Sequence, residues 1–278
     1  MVETDRNLPD FATPPIIEVV LSVQFDRLAR LGVPQIGQLW AERFKDRFPK
    51  TEEHAPLPSV LELFGLQAAP RVDVRLETAQ IPRCWFLNQS GTELMQIQPD
   101  RFIHNWRKVG KGDEYPRFEH VRDEFHREVS AFRDYLAQED LGALTPNQCE
   151  VTYINHIESG AEWDQPGQLE KVLTVWASRY SDDYLSEPEN VRFVARYVIR
   201  DSTGDPMGRL HVSAEPAYRA IDGRPVLVLE LTARGRPDGE GINGVLAFMN
   251  TGREVVVRAF ASITTPEMHE IWGRRDER

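Results

Sequence analysis

The chain reads as an α+β protein in which a strand–helix–strands–helix unit is duplicated internally, giving an antiparallel sheet with long helices on one face. Three observations carry that expectation. Runs of β-branched and aromatic residues are grouped rather than alternating one for one with helices, which suits an antiparallel rather than a parallel sheet. Two long segments, 118–136 and 242–260, repeat apolar residues at threes and fours. The order of elements in residues 14–145 recurs in residues 146–273 at similar length.

A polar leader, residues 1–13, precedes the first unit. Pro14 and Pro15 then open IIEVVLSVQF, whose alternation puts Val19, Leu21, Val23 and Phe25 on one strand face. After Gly32 and Pro34, QIGQLWAERFKDRF spaces Ile36, Leu39, Trp40, Phe44 and Phe48 as a helix would. Short strand candidates follow between Leu61 and Lys108, the clearest being RCWFL, ELMQIQ and RFIHNWRK. Pro116 sits near the first turn of a long helix with the stripe Phe118, Val121, Phe125, Val129, Phe132 and Leu136, and Gly142 and Pro146 mark its exit.

The second unit repeats the plan. QCEVTYINHI is a strand, QLEKVLTVWASRY is helical, and VRFVARYVIR, GRLHVSA and PVLVLELTAR are strands. The helix over 242–260 sets Val245, Phe248, Met249, Val256 and Phe260 to one side, and a short helix over 266–272 closes the fold before a fraying tail, 274–278. Local parallels join the halves: EVVLSVQF with EVTYINHI, and LWAERFKDRF with VWASRY. The element order resembles that of TATA-binding-protein-like halves and, less closely, of helix-grip proteins, a likeness of order that carries no function.

Composition narrows the classes. Hydrophobic residues are 41% and charged residues 28% of 278, an ordinary globular balance. No apolar run approaches membrane-spanning length and the first residues lack the basic-then-apolar pattern of a signal peptide, so a cytoplasmic protein is expected. Two cysteines far apart, Cys84 and Cys149, exclude a disulfide framework and a cysteine zinc site. A net charge of −11 works against binding a phosphate backbone, although Arg101, Arg107, Lys108 and Lys111 form a local basic cluster.

The stretch QIQPDRFIHNWRK predicts where a site lies. A hairpin turning at Pro99 and Asp100 with a loop of two or four residues pairs Ile97 with Phe102 and Met95 with His104, and places Trp106 on that same core face. Gln96, Gln98, Arg101, Asn105 and Arg107 then share the other face, beside Leu94 and Ile103, on the helix-free side of the sheet. Amides that both donate and accept, beside arginine forks, suit a protein partner, while a solvated sheet face would read the same way. In VTYINHI, Tyr153 and Asn155 share a face and His156 points away; with His104 they define the pocket that an enzyme reading, a hydrolase or phosphoryl-handling protein, requires.

PPIIEV, the QxQxDRFxxNWRK hairpin, YPRF at the head of the long helix and NQCEVTYINHI together resemble a sporadically distributed prokaryotic family of uncharacterised proteins, over nearly the whole chain. The resemblance implies no activity, catalytic residue or cofactor; patchy distribution favours an accessory role beside mobile or defence-linked genes.

Other chemistry is set aside. His120, Asp123, Glu124 and Arg127 fall on one solvent side of the long helix without HExxH spacing, which reads as an ion-pair face rather than a metal site. RGRPDGEGING meets neither phosphate-loop pattern, Ser213 near His211 is strand patterning, and Asp182 with Asp183 is a solvated acidic loop. No metal or cofactor is expected. The function expected is a non-enzymatic accessory protein that binds another protein, with homodimerisation through an open strand edge as a further partner and nucleic-acid binding on the open sheet as a weaker alternative.

Overall fold

The structure is a computed structural model. It describes residues 8–65, 81–160, 163–177, 183–219 and 221–275. Nine strands form one antiparallel sheet: β2 (Ile16–Phe25), β3 (Lys50–His54), β4 (Arg83–Leu87), β5 (Glu93–Gln98), β6 (Arg101–Arg107), β7 (Pro146–Glu158), β8 (Phe193–Arg200), β9 (Pro206–Tyr218) and β10 (Pro225–Gly235). Their order is β3-β4-β5-β6-β2-β7-β10-β9-β8, so the central pair is the first long strand of each half. A second, two-stranded sheet pairs β1 (Asp10–Phe11) with β11 (Arg274–Arg275), which ties the expected leader to the expected tail. Phe11 explains that tie: it is buried, with its ring edge-on to Phe260 and Trp272.

The helices lie on one face. α2 (Phe118–Gln138) covers β2 and β6, α3 (Gly241–Ile263) covers β7 and β10, and the two helices touch each other. The predicted stripes face the sheet, since Phe118, Val121, Phe125, Val129, Phe132 and Leu136 are buried, as are Val245, Phe248, Met249, Val256 and Phe260. At this interface Phe132 stacks on Phe102 and lies tilted to Phe25, and Phe125 meets Phe102 edge-on. Gly252 is required there because a Cβ would stand 2.8 Å from the Val151 side chain, so α3 rides close on β7. Pro116 falls just outside the N-cap Arg117 rather than within the first turn. α4 (Pro266–Ile271) follows, capped by the Thr265 hydroxyl.

Three expectations are corrected. α1 (Val33–Leu39) is a short α-helix that runs on as a π-helical turn, Trp40–Phe44, so the helix expected over 35–48 stops four residues early. The helix expected over 168–180 is absent from its described residues, of which only Leu169–Lys171 make a 3₁₀ turn. Its backbone bonds elsewhere: Thr174 N–H donates to Ile263 O, and the Val172 and Lys171 carbonyls accept from the Thr265 N–H and hydroxyl. Those long-range bonds, with Val172 and Leu173 buried, displace the local helical ladder. Residues 178–180 of that segment, Asp182, and the end of the tail at 276–278 lie outside the described residues. Finally, Glu124 does not sit on a solvent face; it is buried and paired with Arg47 and Arg127.

Candidate functional site

The β5–β6 hairpin closes as the alternation requires. Gln98 pairs with Arg101 across a two-residue loop, and Ile97–Phe102 and Met95–His104 follow in register. Gln96, Gln98, Arg101, Asn105 and Arg107 therefore share the face opposite the helices. Register carries the face across the sheet: β2 adds Glu18, Ser22 and Gln24, β7 adds Gln148, Glu150 and Thr152, β10 adds Thr232 and Arg234, and β9 adds Arg209 and His211.

Among the described residues this face carries no helix, but it is covered, which corrects the expectation of a surface left open. Gln96, Gln98, Arg101 and Asn105 are buried and Arg107 is half-buried. The cover includes the chain's own residues 55–64, which form no strand or helix and cross the strands in the order β5, β6, β2, β7, β10, β9. Gln98 grips Leu57 twice, Oε1 accepting from its N–H at 2.9 Å and Nε2 donating to its carbonyl at 2.9 Å. Arg101 donates to the Pro58 carbonyl at 3.0 Å, and Gln24 Oε1 accepts from Val60 N–H at 2.9 Å. Gln148 Oε1 accepts from Glu62 N–H at 3.2 Å, and Arg209 donates to the Leu63 carbonyl at 2.7 Å. Six adjacent strands span about 24 Å at ~4.8 Å spacing. Seven extended residues reach about as far, so the segment advances close to one residue per strand.

Only one side chain of the segment is read by charge. The Glu62 carboxylate meets Arg209 at 2.5 Å, His211 at 2.6 Å and Arg234 at 3.6 Å. Burial alone would raise its pKa, but the hydrogen bonds from His211 and Arg209 and the charge of Arg234 outweigh that and hold it below the usual carboxylate range. Arg209 also lies 4.2 Å over the Phe64 ring, so one guanidinium contacts three successive residues. Burial lowers the Arg101 pKa against the opposing charges of Glu150 and Asp100. Among the described residues, Gln96 Oε1, Arg101 Nε and Gln148 Nε2 are buried on this face without a hydrogen-bond partner.

The pocket expected for an enzyme does not assemble from its four residues. Tyr153 and Asn155 line a cavity of about 70 Å³ under β1, together with Phe11, Tyr115 and Phe260. His104 shares the helix side but is turned to Glu128, its Nδ1 2.8 Å from that carboxylate, and His156 stands on the opposite face beside Val228 and Glu158. The Tyr115 and Tyr153 hydroxyls bond each other at 3.1 Å. Burial pushes the Tyr153 pKa up to about 12 and Tyr115 well above the usual phenol value, so both stay protonated at neutral pH and neither is a base.

Sequence reasoning missed Gln24, Gln148, Glu62, Arg209, His211 and Arg234. The available signal was a glutamine within an apolar central strand: Gln24 after Val19, Leu21 and Val23, and Gln148 before Cys149 and Val151. No family model, curated protein or solved structure matches the chain.

Proposed function

We propose that the chain is a non-enzymatic protein-binding module whose helix-free sheet face holds an extended stretch of polypeptide. The observation that carries this is the row Gln98, Arg101, Gln24, Gln148 and Arg209, which holds residues 57–63 by their backbone. Backbone recognition is indifferent to most side chains, and the face performs in cis the contact that binding a partner requires in trans. The acidic Glu18, Glu150 and Glu230 on the same face, with the charge of −11, disfavour a nucleic-acid backbone there.

The same reading includes an internal duplication with TATA-binding-protein-like order. Its support is the mirrored neighbourhood of the central pair: β6 flanks β2 as β10 flanks β7, and each is followed by the long helix over its own two strands. A reducing, cytoplasmic setting and membership of the sporadic prokaryotic family belong to the proposal too; two buried free thiols and the absence, among the described residues, of any helix long and apolar enough to cross a membrane are consistent with the former. β8 offers an edge for a second copy, with Val194, Tyr197 and Val198 exposed.

Co-purification from the native host tests the reading. The triple variant Gln98→Ala, Arg101→Ala, Asn105→Ala should lose the partner that the wild type retains while still unfolding cooperatively in urea. Unchanged recovery would remove this face as the binding surface.

A further inference from the structure

Residues 57–63 differ from the rest of the sheet's packing in how they are held. Among the described residues none of their N–H or C=O groups bonds another backbone group; the bonds recorded go to side chains that the sheet projects. Leu61 and Leu63 point outward, 52% and 47% exposed, so the segment is not fastened by an apolar seam at those positions. Beneath it Arg101 Nε and Gln148 Nε2 are buried donors with nothing to donate to, and Gln96 Oε1 is a buried acceptor without a donor. A face shaped solely for its own cover would match these atoms, because unmade buried hydrogen bonds are costly. The side-chain preference is confined to Glu62 and Phe64: the carboxylate enters the Arg209, His211 and Arg234 cluster, and the ring lies under the Arg209 guanidinium. Arg234 is shared with Glu150 at 2.6 Å, so the cluster's surplus positive charge rests on Arg209 and is met by Glu62.

We infer that residues 57–64 are a self-ligand: the face reads extended peptides carrying an acidic residue followed two positions later by an aromatic one, and the chain's own segment blocks it until such a peptide displaces it. This deepens the protein-binding reading and rests on it. The backbone contacts provide affinity that most sequences satisfy, whereas the carboxylate and ring set selectivity, since a ligand lacking the carboxylate leaves Arg209 without its buried counter-charge. The orphaned donors give an incoming peptide two further places to offer carbonyl oxygens.

The test uses the full-length chain and a fluorescein-labelled peptide of sequence PLPSVLELF, corresponding to residues 56–64. Anisotropy is read for the wild type and for the double variant Glu62→Gln, Phe64→Ala, which weakens the resident segment and leaves the sheet side chains intact. The variant should bind the peptide at least ten-fold more tightly than the wild type. The same peptide carrying Glu62→Gln should bind it at least ten-fold more weakly, and Arg209→Ala added to the variant should remove the difference between the two peptides. A folded variant that binds neither peptide, or both equally, overturns the self-ligand inference and leaves the co-purification result to judge the protein-binding reading. Should the variant fail to fold, saturating peptide must accelerate hydrogen exchange in residues 57–63 of the wild type, and unaltered exchange overturns the inference.

Discussion

Glu18 and Glu62 both lie on the helix-free face, yet their surroundings push them in opposite directions. Burial raises the pKa of Glu18 more than the Asn105 hydrogen bond and Arg107 lower it, whereas the bonds to Glu62 from His211 and Arg209 more than offset its burial. A carboxyl with a raised folded pKa holds its proton more tightly when folded, so its ionised form costs stability once the pH passes the unfolded value of about 4.3. A carboxyl with a depressed folded pKa contributes stability that is present above that value and is lost as pH falls through the folded one. Glu18→Gln, which keeps an acceptor for Asn105, should therefore raise the urea midpoint at pH 7.5, while Glu62→Gln should lower it. Both differences should close in acid, and urea titrations across pH 3–8 check the signs. At this scale the sequence was half-legible: alternation places Gln96, Gln98, Arg101 and Asn105 on one face, but Leu57, the partner of Gln98, and Gln24 and Pro58, the partners of Arg101, lie 41–77 residues distant, and no local pattern records such pairing.

Among elements, the π-helical turn Trp40–Phe44 has a consequence beyond its own length. Its wide loop, with Lys45 N–H donating to Trp40 O at 2.8 Å, precedes Arg47, which reaches Glu93 on β5 at 2.8 Å and Glu128 on α2 at 3.0 Å, and also pairs with Glu124. Glu128 in turn meets His104 on β6, so four elements converge on one buried ionic knot. Arg47→Met retains the aliphatic stem and removes the guanidinium that Glu93, Glu124 and Glu128 share, leaving them His120, Arg127 and His104. It should destabilise the fold by about 2 kcal/mol in urea at unchanged m-value, below the usual cost of breaking a fully buried pair because Arg47 is half-buried and each carboxylate keeps a partner. A loss below about 1 kcal/mol would show that the knot contributes little. The helical spacing of Ile36, Leu39, Phe44 and Phe48 was readable, and so were α2 and α3, because an apolar stripe at threes and fours is a local property. The non-helical path of residues 171–174 was not, because its hydrogen-bond partners are Ile263 at the end of α3 and Thr265 at the start of α4.

For the whole molecule, α+β class, antiparallel pairing and helices on a single face follow from grouped strands and two amphipathic stripes. The sequence does not disclose that residues 55–65 cross from the first half to the second, touching β5 at one end and β9 at the other. Pro56 and Pro58 were visible as breakers of regular structure, and the alternation Val60, Glu62, Phe64 inward against Leu61 and Leu63 outward resembles a strand, yet these residues lie across the sheet rather than within it. The segment links the two proposed repeats on the side away from the helices, so loosening it should expose the polar row of both halves together.

The most direct measurement is residue-resolved hydrogen exchange by NMR on the full-length chain, comparing the wild type with Gln24→Ala. The grip of sheet side chains on an extended backbone requires the Leu57, Val60 and Glu62 amides to exchange more slowly than those of Leu61 and Leu63, and requires Gln24→Ala to release Val60 while β2 and β7 stay protected. Uniformly fast exchange across residues 57–63 in the wild type, or Val60 protection that survives the loss of Gln24, would contradict it.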